Sequence, residues 1–246
     1  MLSKTIIKYI QSLAQKKVRD KDGVFVAEGP KLVKDLLASK KFKCQTLCAL
    51  PGWLNDNAHL IKNISTEIME VTDFELQQIS LMQTPNNVLA ILCKKEEIKM
   101  NLKDTISLML DGIQDPGNMG TIIRTADWFG VNNIICSAQC ADCYNPKVVQ
   151  STMGSLASVN ILYTNLIEFL KVNQEINVYP AVLSGKSIYE LKKINEGIIL
   201  IGNEAKGVSE ELLNFGTQLI TIPKIGSAES LNAAVATGII LSEITR

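Results

Sequence analysis

Six short apolar runs punctuate the second part of the chain: Ile106–Leu110, Asn133–Cys136, Val159–Tyr163, Val178–Leu183, Gly197–Ile201 and Gln218–Ile222. Each has the length of a buried strand, and helical patterns lie between most of them. A strand without a polar face must be covered on both sides, and helices that alternate with such strands cover a parallel sheet in that way. The expected class is therefore α/β. The first third alternates shorter elements. Val24–Ala27, Lys43–Leu50, Glu67–Val71 and Asn87–Cys93 read as strands, and Lys31–Ala38 reads as a helix carrying Leu32, Val33, Leu36 and Leu37 on one side. The charged, aperiodic stretch Lys94–Lys103 is the best linker. These patterns predict a smaller α/β domain over residues 1–98, a linker over 99–105 and a larger domain over 106–246.

Composition removes whole classes of function. With 46% hydrophobic and 20% charged residues, 246 in all, the chain is too apolar for disorder. No apolar run reaches the roughly 18 residues that span a bilayer, and the start lacks the apolar core of a signal peptide. Six scattered cysteines fit reduced thiols, so a cytoplasmic location is expected. The net charge of zero hides an asymmetry: residues 1–50 hold 11 Lys and Arg against 4 Asp and Glu. That surplus suits either the solvated face of a first helix or an end that meets a polyanion.

Several familiar signatures fail. Ser184-Gly185-Lys186-Ser187 ends like a phosphate-binding loop, but Pro180 occupies the position of the first required glycine. No dinucleotide fingerprint follows a strand. Cys140 and Cys143 have metal-like spacing, yet a structural zinc needs four ligands and the chain has one histidine, His59. That lone histidine also argues against a hydrolase triad.

Three segments remain, each at the carboxyl end of an expected strand, where open α/β sheets place their ligands. The first runs from Asp111 to Gly130, with a Gly/Pro/Asn turn and then a helix from about Asn118 to Phe129. In it Arg124 is either a surface residue paired with Asp127 or a guanidinium poised for a phosphate. The second, Ile198 to Val208, drives a strand straight into Gly202-Asn203-Glu204, with Gly207 close behind. The third is Ile222-Pro223 followed by Ser230-Leu231-Asn232, where Ser230 is the expected N-cap of a last helix.

Together these segments resemble the SpoU (TrmH-like) RNA 2′-O-ribose methyltransferases of the SPOUT superfamily. The family's N-x-G-x-x-x-R-x-A motif is met by Asn118, Gly120, Arg124 and Ala126, its G-N-E-x-x-G by Gly202, Asn203, Glu204 and Gly207, and its I-P…S-L-N by Ile222, Pro223, Ser230, Leu231 and Asn232. Upstream, Val24 to Val33 looks like the small substrate-binding domain of many members, similar to an RNA-binding ribosomal protein fold. One stretch departs from the family: Gln150 stands near a frequent arginine, and Ala157-Ser158-Val159-Asn160 lacks a basic-proline pair.

The resemblance implies a parallel sheet closed by a deep trefoil knot, S-adenosyl-L-methionine as cofactor, no metal, rRNA or tRNA as partner and a homodimer through the C-terminal domain. It implies catalytic roles for Arg124, Asn118, Glu204, Ser230 and Asn232. It places the cofactor against Gly202, Asn203, Gly207, Ile222, Pro223 and Leu231. In the N-terminal domain it points to Lys17, Arg19, Glu28 and Lys31 as RNA contacts. Two rivals are a non-catalytic RNA-binding protein that keeps the fold and a SPOUT enzyme that methylates a base.

Overall fold

The computed structural model describes residues 2–62, 64, 66–96 and 100–246. Two compact units form, one from Met1–Glu96 with Tyr144–Ala157, the other from Glu97–Cys143 with Ser158–Arg246. Part of the charged stretch expected as linker, residues 97–99, lies outside the described residues.

The first unit holds strands β1 (Val24–Glu28), β2 (Cys44–Ala49), β3 (Glu67–Glu70) and β4 (Val88–Cys93). Their order is β1-β4-β2-β3, with β4 antiparallel to both neighbours and β3 parallel to β2. Helices α1 (Lys4–Ser12), α2 (Lys16–Asp22), α3 (Pro30–Ala38), α4 (Pro51–Asp56), α5 (Ala58–Ile61) and α6 (Asp73–Ile79) complete its N-terminal part. Ile10 and Leu13 pack with Val26, Leu76, Ile79 and Leu89 in one core. Capping starts α6: Thr72 Oγ1 accepts from Glu75 N, and the Glu75 carboxylate accepts from Thr72 N.

The unit also takes in a segment that contiguous reading assigns to the second domain. Helix α8 (Pro146–Thr152) buries Val148 and Val149 and packs on β1. The Tyr144 ring sits 4.9 Å from that of Phe25, and its hydroxyl accepts from Lys95 N at 3.1 Å. Apolar side chains with partners on β1 decide the membership of this segment, whatever its position in the chain.

The second unit is built on β5 (Ile106–Leu110), β6 (Asn133–Cys136), β7 (Asn160–Tyr163), β8 (Val178–Ser187), β9 (Gly197–Ile201) and β10 (Ile220–Thr221). All pairings are parallel, in the order β10-β8-β9-β5-β6-β7. Strands β6 and β9 are buried throughout, as their apolar runs require, and the one polar side chain among them, Asn133, donates to Asn101 O at 2.8 Å. Around the sheet lie α7 (Pro116–Trp128), α9 (Leu166–Val172), α10 (Glu210–Leu213) and α11 (Ala233–Ile244), with α11 packed on α7.

Strand β8 is longer than its apolar run. Its first half pairs with β9 and its end, Lys186 and Ser187, pairs with β10, so the segment that mimicked a phosphate loop is strand. After β7 the chain returns to the far side of β5 and inserts β9 between β5 and β8. That reversal is the topological switch point, where α/β sheets open a crevice at their carboxyl edge. Among the described residues, no helix is long and apolar enough to cross a membrane.

Candidate active site

The loops after β5 and β9 meet at this switch point. Asp111 N donates to Ile201 O at 2.9 Å, and Asn203 Nδ2 donates to Gly112 O at 2.7 Å. After β9 the chain makes a turn whose ends are clamped by Asn203 N to Gly207 O (3.0 Å) and Gly207 N to Asn203 O (2.8 Å). The turn needs its glycines. A Cβ on Gly202 would lie 2.2 Å from the Gly207 carbonyl carbon and the Val208 nitrogen, and Gly207 has φ +70°. The Asn203 side chain is spent on the same turn, since its Oδ1 accepts from Ala205 N and Lys206 N. It shapes the loop.

Helix α7 begins beside this turn. Asp115 caps it, accepting from Asn118 N at 2.8 Å, and Pro116 opens the first turn with no amide to satisfy. Asn118 is thereby fixed, and it joins the second and third segments. Asn232 Nδ2 donates to Asn118 Oδ1 at 2.9 Å, and Asn118 Nδ2 donates to Glu204 Oε1 at 2.8 Å. The direction of this chain is set at its root. Asn232 Oδ1 accepts from Ala234 N and Val235 N, so its amide nitrogen faces Asn118. The positive end of α11 thus feeds a line of dipoles that ends on a carboxylate. Asn232, not Ser230, is the N-cap of α11, because the helix starts two residues later than expected.

Between β10 and α11 runs an irregular exposed stretch. Ile222 is half-buried, Pro223 and Ser230 are exposed, and Leu231 leaves 48% of its surface open. Among the described residues, the backbone amides of 224–231 donate no hydrogen bond and Ser230 makes none. Apolar side chains beside unused amides suit a flat heteroaromatic base, whose faces need contact and whose edge needs hydrogen bonds. The residues present therefore fit an adenosine cofactor.

Arg124 stands apart from the Asn118 line, on the exposed face of α7. With Thr121, Trp128, Tyr189, Val235 and Gly238 it lines an open recess of about 770 Å³. Trp128 and Val235 expose 84% and 51% of their surfaces there. Arg124 makes no ion pair or hydrogen bond among the described residues, with Asp127 included.

In the first unit, Lys17 and Lys31 are exposed, and Lys31 pairs with Asp35 at 2.7 Å. Arg19 and Glu28 are corrections to the RNA-contact expectation, because both point inward. Arg19 is 1% exposed and donates from Nη1 to the carbonyls of Leu13 and Ala14, both at 2.8 Å. Glu28, at the end of β1, accepts from Leu81 N at 2.7 Å and from Ser80 Oγ at 2.5 Å. Burial pushes its carboxyl above the usual range despite these two donors. Its place at the end of the apolar run Val24–Ala27 was the available signal of burial. Asp111, which accepts from Ser209 N at 3.0 Å, and Asp115 position the two loops; the Asp115-Pro116 pair ahead of a helix is the legible mark of the second, and Asp111 has no such local signal.

Residues 105–242 match the SpoU rRNA Methylase family, and residues 4–90 match the MRM3-like substrate binding domain. The 23S rRNA (guanosine(2553)-2′-O)-methyltransferase RlmP of Bacillus subtilis is 30% identical over 96% of this chain and 94% of its own length. Among solved structures, a TrmH-family RNA methyltransferase from Porphyromonas gingivalis is 38% identical with a TM-score of 0.87, covering 99% of this chain and 98% of that one. An AdoMet-bound rRNA methyltransferase from Sinorhizobium meliloti is 32% identical with a TM-score of 0.89, covering 99% and 96%.

Proposed function

Because the chain belongs to the SpoU rRNA methylase family, we propose that it transfers the methyl group of S-adenosyl-L-methionine to a ribose 2′-hydroxyl of rRNA or tRNA. The observation that carries this reading is the line Asn232–Asn118–Glu204, which gathers three motifs at the switch point of a parallel sheet.

The cofactor supplies a methyl already activated on a sulfonium. What is left for the protein is to hold the ribose oxygen in line and to ease loss of its proton. Asn118, Glu204, Ser230 and Asn232 orient the ribose. The Arg124 guanidinium clamps the adjacent phosphate and the alkoxide as charge develops; it stays protonated, so it acts as a donor and not as a base. Gly202, Ile222, Pro223 and Leu231 line the adenosine pocket, and Asn203 with Gly207 holds its rim.

Three further parts belong to the same reading. The path that inserts β9 beside β5, sends β10 to the outer edge of β8 and brings α11 back onto α7 supports a trefoil knot. The exposed Trp128 and Val235 support a homodimer, since a second copy would cover apolar side chains that water now meets. Lys17 and Lys31, within the basic surplus of residues 1–50, support RNA binding by the first unit.

The test is chemical. A 2′-O-methyl group blocks attack on the neighbouring phosphate, so RNA methylated by the full-length protein will show a gap in its alkaline ladder. Label found on a base, with the ladder unbroken, would refute ribose as the target.

A further inference from the structure

The loop that follows β9 hangs from two consecutive residues at the end of β5. Gly112 O accepts from Asn203 Nδ2 at 2.7 Å, and Asp111 Oδ2 accepts from Ser209 N at 3.0 Å, so both ends of 203–209 are tied to one turn. That turn is held in its own right from behind. Ser137, directly after β6 and 5% exposed, accepts from Gly112 N through its Oγ at 2.9 Å. Cys140 Sγ lies 3.6 Å from the same Oγ and 3.2 Å from Leu110 O. A carbonyl can only accept, so the single thiol proton goes to Leu110 O and the Ser137 hydroxyl donates to the sulfur. Gly112 N–H, Ser137 O–H, Cys140 S–H and Leu110 O therefore form a closed relay that begins and ends on either side of Asp111. Ser137 N also donates to Leu110 O, at 3.0 Å.

We propose that Ser137 is a positioning residue for S-adenosyl-L-methionine: its hydroxyl fixes Gly112, and Gly112 fixes the Asn203 turn at the rim of the adenosine pocket. Glycine makes the brace necessary. Gly112 stands at φ +69° with no Cβ to restrict it, and both its polar groups are held by side chains, the N–H by Ser137 and the carbonyl by Asn203. It is also buried, so an N–H deprived of Ser137 Oγ has to move to find another acceptor. Any such movement draws Gly112 O away from Asn203. The Asn203 side chain shapes the 203–207 turn through Ala205 N and Lys206 N, so the rim loosens with it.

The effect on the cofactor rests on the reading of residues 202–232 as its site, whereas the brace on the loop does not. Two measurements on the full-length protein separate them. In hydrogen exchange read by mass spectrometry without cofactor, Ser137→Ala should speed exchange of the amides in 203–209 about fivefold, the worth of about one hydrogen bond. In calorimetry the same variant should bind S-adenosyl-L-methionine about fivefold more weakly. Ser137→Thr keeps the acceptor, and Ser137→Val fills the same volume without it. The Thr protein should therefore bind about fivefold more tightly than the Val protein, a contrast that decides the question if the Ala protein does not fold. Ile135→Val trims the buried core of β6 without touching the turn, and should change neither readout. Equal affinity in the Thr and Val proteins, or an Ile135→Val protein as weak as Ser137→Ala, overturns the positioning role. Unchanged exchange overturns the brace, and faster exchange with unchanged affinity overturns its link to the cofactor. Wild type that binds no S-adenosyl-L-methionine overturns the cofactor reading, and the link with it, while exchange still decides the brace.

Discussion

Replacing Asn118 with aspartate keeps the shape of the central residue and inverts one of its contacts. Oδ1 still accepts from Asn232, but the donor that faced Glu204 at 2.8 Å becomes a second carboxylate oxygen. The lost hydrogen bond to a charged group is worth about 1.5–3 kcal/mol. Two carboxylates about 4 Å apart add about 4 kcal/mol of repulsion at an effective dielectric of 20, and solvent around the exposed Glu204 reduces this to about 1 kcal/mol. The side chains relieve that repulsion by swinging apart, which abandons the ribose geometry. Single-turnover transfer of labelled methyl should fall about 10–10²-fold, equivalent to about 1.4–2.8 kcal/mol of barrier. The Glu204→Gln change on the same background offers an amide donor to the carboxylate introduced at position 118 and restores one hydrogen bond in the opposite direction. The double variant should recover part of the loss, giving a coupling of about 1 kcal/mol or more. Circular dichroism should stay unchanged, because both residues are at the rim and outside the core. An Asn118→Asp enzyme within twofold of wild type, or a double variant no better than that single one, would refute the role of the line.

Arg124→Ala should slow transfer about 10²–10³-fold, as removal of one electrostatic donor does, with S-adenosyl-L-methionine affinity by calorimetry little changed. Trp128→Glu replaces an exposed apolar side chain of the proposed dimer face with a charge, so light scattering should report about 27.0 kDa where the wild type reports twice that mass. Glu28 has a folded-state carboxyl held above its ordinary value of 4.5, so protonation favours the folded state. Its contribution is complete below that ordinary value and fades as pH rises through the raised one. Thermal melts should therefore show wild type gaining on Glu28→Gln as pH falls through the range just above 4.5; parallel curves would contradict the burial argument.

The strands were legible where burial leaves a local imprint. Ile106–Leu110, Asn133–Cys136 and Gly197–Ile201 are largely apolar, are buried on both faces apart from the half-buried Ile106, and have the boundaries expected of them. Strand β8 outran its pattern because Ser184 to Lys186 are exposed, and its end, Lys186 and Ser187, is held by pairing with β10 and not by burial. The start of α11 moved from Ser230 to Asn232 because both are good caps, and only contact with Asn118 distinguishes them. Arg19 and Glu28 misled for a related reason: a charged residue reads as exposed unless its buried acceptors or donors are known, and those lie on Leu13, Ala14, Ser80 and Leu81.

Sequence alone determined the α/β class, the strands and the three motifs, because apolar periodicity and turn chemistry act within a few neighbouring residues. Tertiary structure decided how those motifs act together. Asn118 lies 86 positions from Glu204 and 114 from Asn232, and the three side chains meet because a parallel sheet returns every loop to the same carboxyl edge. The partners of Tyr144–Ala157 and the placing of Ser137 behind Gly112 were settled in the same way. Packing between distant elements determines which surfaces meet, and no local pattern encodes it.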